Sequence, residues 1–234
     1  KIKIGSKSPM NVMFEEANDE KNYCPAFGSR YIKNVKNCES PQWLKDKLNS
    51  IGLKPISALV DITNYILFDY NRPLHVYDAD KVSGSIIIRS AKKDEKFFGL
   101  DDKEYSLDEG MCVIADEKKS LGLGGILGGS SSACNMATTN ILLESALFIP
   151  SNIANTGRKL FIDSDARYRF ERGVDPNSLN IGLDRAALLI QEICGGEISD
   201  TQICGTIPKS EHDISFNLIK NTKRLGVEID QSEI

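Results

Sequence analysis

The chain is short of histidine: two imidazoles, His75 and His212, serve 234 residues. Six cysteines (Cys24, Cys38, Cys112, Cys134, Cys194, Cys204) include no C-x-x-C pair. Protein zinc sites draw on Cys and His at short, regular spacings, so the sequence predicts no metal site. No apolar run approaches the roughly 18 residues of a membrane helix, and no apolar h-region of a secretory signal stands near the start. Free thiols in a reducing cytoplasm are therefore expected in place of a disulfide framework. Neither G-K-[ST] nor G-x-S-x-G occurs, which removes the Walker phosphate loop and the nucleophile elbow. No internal repeat or low-complexity tract is visible.

What is present reads as an ordinary globular composition, 41% hydrophobic and 26% charged. The net charge of −4 argues against a general nucleic-acid coat. A local basic patch is still open: Arg158, Lys159, Arg167, Arg169 and Arg172 fall within fifteen residues, interleaved with acids. A salt-bridged, solvated surface is the plainer reading of that cluster. The chain opens at Lys1 and closes on QSEI, and is read as a piece of a longer polypeptide.

Along the chain, residues 1–22 are polar and aperiodic, expected as a linker or edge segment. ESPQWLKDKLNSIGLK predicts a helix with Ser40 as N-cap, Pro41 at the first helical position, Leu44, Leu48 and Ile51 on one face, and Gly52 as a left-handed stop. ALVDITNYILFDYN predicts a second, with Leu59, Ile62, Ile66 and either Tyr65 or Phe68 inward, closed by Pro73. His75 then falls in extended backbone. Strand-like runs follow in GSIIIRSA, KFFGLDDKEYSL (with LDD as a hairpin turn) and MCVIADEK, then a glycine-dense stretch over 121–135 and the short strand NILLESALF. VDPNSLNIGLDRAALLIQEICGG predicts a long helix capped at Asp175, with Leu179, Leu183, Ala186, Ile190 and Ile193 as its stripe. A boundary is expected near 205–212. The fold class is α+β: mixed or antiparallel sheets packed on each other with flanking helices, a layered β/β/α arrangement.

Three features could carry chemistry. Gly124, Gly125, Gly128 and Gly129 run into SSSACN without a helical stripe, so no helix N-terminus would face a phosphate. They point instead to close backbone approach, by a ligand or by another strand. Glu144 interrupts an apolar strand and must lie on a solvent face or be buried with partners. His75 is either a capping or core imidazole or a catalytic one.

VDITNYILFDYNRPLHVYD, LGGILGG, NILLES and DARYRFERGVDP, in that order, resemble the β subunit of bacterial phenylalanyl-tRNA synthetase. The resemblance covers residues 23–205 as its editing domain, and 206–234 as a connection and the start of a following winged-helix-like domain. It implies hydrolysis of tyrosine wrongly attached to phenylalanine tRNA, within an enzyme that attaches phenylalanine using ATP and Mg2+. No cofactor is implied in this fragment. The implied partners are the acceptor end of that tRNA and the α subunit of an α2β2 assembly, with no membrane and a cytoplasmic setting. By the match, His75 is the histidine of the P-x-H word, implied as catalytic. Thr63 and Asn64 are the T-N pair, Gly128 opens the second G-G, Glu144 is the acid of L-L-E, and Ala166 is the alanine ahead of RFERG. Ser164 stands where the family often has threonine in T-D-A, which keeps the hydroxyl and loses a methyl contact.

On that resemblance Glu144 is expected to accept a hydrogen bond from the tyrosyl hydroxyl, helped by the Gly128 backbone. His75 is expected to orient water or ribose in preference to abstracting a proton. Thr63 and Asn64 are expected as contacts to the ester or ribose. Small residues at Gly128 and Ala166 would keep the pocket open. The competing readings are an architectural module without hydrolysis and a free-standing RNA-binding domain, the latter disfavoured by the acidic balance.

Overall fold

Residues 141–147, ILLESAL, are buried at every position, and their parity sorts them between two separate cores. Successive strand side chains point to opposite faces. Ile141, Leu143 and Leu147 join one apolar cluster, Leu142 and Ala146 the other. A strand with two dry faces is the middle layer of a three-layer structure.

The computed structural model describes residues 4–15, 23–209, 214–227 and 229–233. In chain order it contains β1 (Val12–Phe14), β2 (Ala26–Lys33), α1 (Gln42–Ser50), α2 (Ala58–Asp69), β3 (His75–Asp78), β4 (Ile86–Ser90), β5 (Glu95–Phe98), β6 (Glu104–Leu107) and β7 (Cys112–Ala115). β8 (Ser120–Leu123), β9 (Leu127–Gly128), β10 (Ile141–Leu147), α3 (Pro150–Leu160), α4 (Asp165–Phe170), α5 (Ser178–Cys194), β11 (Glu197–Ile198), β12 (Gln202–Gly205) and α6 (Leu218–Leu225) follow.

One sheet runs β1-β4-β7-β8-β9, the other β11-β2-β10-β3 with β12 also on β2, and β5-β6 form a hairpin. The β1–β4 pair is parallel, the remaining ladders antiparallel. Between the sheets lies a core of Phe27, Tyr77, Ile86, Ile88, Val113, Leu121, Leu142 and their neighbours, to which α3 and α4 add Ile153 and Phe170. On the other face of the second sheet, Ala26, Ile32, Val76, Ile141 and Leu143 pack on Leu44, Leu48, Leu59, Ile62, Ile66, Leu179, Leu183 and Ile190 from α1, α2 and α5. Burying each such side chain contributes about 1.5–3 kcal/mol. The α+β, layered β/β/α expectation holds.

Three local expectations are corrected. Ser40 does not cap α1: its hydroxyl donates to Asp61 Oδ2 at 2.5 Å, Pro41 occupies the cap position, and Ile51 is half exposed. α5 starts at Ser178 and not at Pro176, because Asp175 Oδ1 accepts the Asn177 N–H at 2.9 Å and makes a turn there. α2 ends at Asp69, ahead of Pro73, with Asn71 in the left-handed region at φ 50°. The 1–22 segment contributes β1 at a sheet edge, while residues 16–22 lie outside the described residues. So do residues 210–213, within the expected boundary.

Candidate active site

β3 begins two residues after Pro73, so His75 and Tyr77 share a parity and face the inter-sheet layer, while Val76 faces the helices. β10 lies beside it, with Glu144 directly opposite His75 in the antiparallel register. Glu144 has the parity of Leu142 and Ala146 and therefore also points between the sheets. It is 7% exposed, which rules out the solvent-face alternative. From the other sheet, β8 and β9 bring their glycines to the same place.

These elements enclose a cavity of about 420 Å³ of unfilled space, its open mouth included. His75, Gly128, Glu144 and Ala166 all line it, together with Pro73, Leu74, Tyr77, Gly122, Leu127 and Phe170. Four of the seven residues named from the sequence thus converge.

Thr63, Asn64 and Ser164 do not line this cavity. Thr63 sits on α2 in the helical layer, buried, and spends its hydroxyl on the Val60 carbonyl at 2.7 Å. Asn64 is its half-buried neighbour on the same helix. Ser164 caps α4, accepting the Arg167 N–H at 3.1 Å, and donates to the Ile126 carbonyl at 2.7 Å. It thereby ties α4 to the glycine-rich turn, and Ala166 reaches the cavity as the second residue of that capped helix.

Burial sets the electrostatics. Loss of water pushes the Glu144 carboxyl up to about 7, against the lowering effects of a Tyr77 hydrogen bond and the Arg72 charge. The Tyr77 hydroxyl donates to Glu144 Oε2, and burial beside that carboxylate raises the phenol well above its ordinary value. Burial pulls His75 down to about 4, so the ring is neutral at physiological pH. Its Nε2 is closed off from solvent and has no hydrogen-bond partner among the described residues. The His75 and Tyr77 rings meet edge to face with centroids 4.5 Å apart.

Arg72 supplies the buried positive charge. It is fully buried, donating to Ser145 Oγ at 2.9 Å, the Ala146 carbonyl at 2.5 Å and Ser178 Oγ at 3.4 Å. Buried ions persist only when their donors and counter-charges are satisfied, and Glu144 is the first of its counter-charges.

Gly128 shows close backbone approach in the literal sense. A Cβ there would stand 2.3 Å from His75 Cε1 and 2.9 Å from its Nε2. The bare main chain seats the imidazole, where the sequence led us to expect a substrate ring. The glycine run opens no α-helix either; a 3₁₀ turn at Ser130–Ser132 follows it.

Tyr77 and Arg72 were missed by the sequence reading. Tyr77 carried a usable signal: two residues past His75 in a strand is the same face. Arg72, beside Pro73 in a connection, carried none. Four of the five basic residues of the cluster are salt-bridged, as the plainer reading had it: Lys159 pairs with Asp108 at 2.5 Å, Arg167 with Glu171 at 3.1 Å, Arg169 with Asp165 at 3.1 Å and Arg172 with Glu171 at 2.7 Å, while Arg158 donates to the Ala154 carbonyl and to Asn155 Oδ1.

Comparison with known proteins decides the family. The B3/4 domain model matches residues 23–195, a span that holds most of both cores and the whole cavity lining. The chain belongs to the B3/4 domain family. It is 50% identical over 223 residues to the phenylalanine–tRNA ligase beta subunit of Paramagnetospirillum magneticum, covering 95% of this chain and 28% of that protein. Against the same subunit of Rhodopseudomonas palustris it is 47% identical over 226 residues, 97% of this chain and 28% of the relative. The resemblance read from the motifs is thereby upheld, and the chain spans about 28% of the length of these relatives. Among solved structures, an N-terminal fragment of the phenylalanyl-tRNA synthetase beta subunit from Pyrococcus horikoshii aligns with a TM-score of 0.56 at 16% identity, over 100% of this chain and 64% of that one. At that identity the likeness concerns the fold.

Proposed function

We propose that this B3/4 domain is an editing module that hydrolyses tyrosine wrongly esterified to phenylalanine tRNA. The observation that carries the reading is Glu144: a buried carboxylate in the wall of an otherwise mostly apolar cavity, with a phenol as its hydrogen-bond donor. Tyrosine differs from phenylalanine by one hydroxyl, which an apolar synthetic pocket rejects only on the order of a hundredfold. A second site that demands the hydroxyl inverts the preference. Phenylalanine would leave Glu144 without the donor it was desolvated to receive, a loss of about 1–3 kcal/mol. That spares the correct product roughly ten- to a hundredfold.

In the reaction, water attacks the ester carbonyl, the acyl–oxygen bond breaks, and tyrosine leaves the terminal ribose. A neutral His75 in the cavity wall suits orienting that water. With a pKa pulled down to about 4 it is a weak base, which favours orientation over proton abstraction. Attachment of phenylalanine with ATP and Mg2+, pairing with an α subunit in an α2β2 assembly, tRNA binding and a cytoplasmic setting belong to the proposal for the whole protein. The test is Glu144→Ala in the full two-subunit enzyme. Clearance of Tyr-tRNA is expected to fall at least roughly tenfold, with phenylalanine attachment unchanged. Equal clearance by parent and variant would refute the reading.

A further inference from the structure

Tyr77 already presents a phenol to the carboxylate that the editing reading assigns to an incoming phenol. Among the described residues it is the one hydrogen-bond donor to the Glu144 side chain. It is 1% exposed, locked against His75 edge to face, and anchored in β3 between Val76 and Asp78. Gly122 on β8 faces its hydroxyl, where a Cβ would stand 3.6 Å from Tyr77 Oη. A side chain this enclosed cannot swing aside for each substrate without unpacking both sheets.

A carboxylate has two oxygens and about four acceptor positions. Tyr77 takes one on Oε2. A lone carboxylate on a flexible side chain could turn either oxygen toward a guest, or turn away and pair elsewhere. One held by a fixed phenol is set in a single rotation.

We propose that Tyr77 is the specificity-positioning residue of the site: it fixes Glu144 through Oε2 so that Oε1 is the acceptor offered to the substrate hydroxyl. The inference rests on the editing reading and deepens it by naming what holds the discriminating group in place. A phenol without this prior hold meets a carboxylate that must first be oriented, so the effect belongs to binding of the tyrosyl group and not to attack on the ester.

The experiment is Tyr77→Phe in the full two-subunit enzyme, which removes one oxygen and keeps the ring. Single-turnover and steady-state hydrolysis of Tyr-tRNA and Phe-tRNA are measured for parent and variant, with thermal unfolding as a check on folding. The expected result is a KM for Tyr-tRNA raised roughly tenfold, with kcat within about twofold and the Tyr/Phe preference reduced by a similar factor to KM. A structural role alone would lower the melting temperature and leave the KM-to-kcat split and the preference in place, which would overturn the proposal. A lower KM in the variant would also overturn it, since Tyr77 would then be a competitor for Glu144. Failure of the parent enzyme to hydrolyse Tyr-tRNA at all would sink the editing reading itself. That outcome is separate from a working parent whose Tyr77→Phe variant is indistinguishable from it.

Discussion

His75 and Glu144 face each other across one ladder, yet burial moves their proton affinities in opposite directions. Glu144 is raised from 4.5 to about 7, and His75 is lowered from 6.5 to about 4. Between pH 4.5 and 7 the unfolded chain has released the Glu144 proton while the folded chain retains it, so this residue's contribution to stability is present at low pH and lost as pH rises through about 7. Below 6.5 the unfolded chain protonates His75 while the folded chain does not, so that contribution is present above 6.5 and lost as pH falls through about 4. In the parent the two slopes oppose each other and largely cancel. Single substitutions separate them. Relative to the parent, Glu144→Gln gains about 3 kcal/mol as pH rises from 4.5 to 7, and His75→Gln loses ground over the same range. Urea unfolding at a series of pH values measures both. Difference curves that are flat for both variants would show that neither group is desolvated as described. Other shifted groups, such as Glu95 held down to about 2, are common to all three chains and drop out of the differences.

At the scale of elements, the middle sheet is held against the helices by close approach at Gly28 on β2. A Cβ there would stand 2.5 Å from Leu179 Cδ2, 3.0 Å from Leu183 Cδ1 and 3.1 Å from the Ser145 carbonyl. Gly28→Ala is expected to cost roughly 1–3 kcal/mol by overpacking, read as a lower urea midpoint with an unchanged m-value. An unchanged midpoint would mean that α5 rides the sheet more loosely than its packing indicates. The same helix shows what was legible. Its stripe of Leu179, Leu183, Ala186 and Ile190 follows a 3.6 period and is fully buried, because periodicity states which face is apolar. Its first turn was misplaced because Asp175 satisfies a local turn as readily as a cap, and Ser40 failed in the same way by bonding a residue 21 positions away. In β10 the anomaly of Glu144 was plain, but which core it enters depends on that strand lying between β2 and β3, and pairing of distant strands is not written in local pattern. Thr63 and Asn64 were drawn in by motif matching alone, and their helix faces the other core.

Across the whole molecule, none of the six cysteines is in a disulfide, and their accessibility maps the layers. Cys24 and Cys112 lie in the inter-sheet core and Cys194 in the helical one, while Cys38, Cys134 and Cys204 are half buried. Burial pushes Cys112 and Cys194 up to about 12, which leaves little thiolate at neutral pH. Maleimide labelling of the native chain, followed by mass spectrometry, is expected to reach Cys38 and Cys204 first, and Cys24, Cys112 and Cys194 only on unfolding. Early modification of Cys24 or Cys112 would show that the two sheets part readily. That possibility bears on the cavity, whose walls belong to different ladders: β3 closes one sheet and β9 the other, and among the described residues no main-chain hydrogen bond joins those two strands. The gap between them is thus a seam and not a weld. On the editing reading proposed above, a tyrosyl ring would enter along it with every rung on both sides left standing.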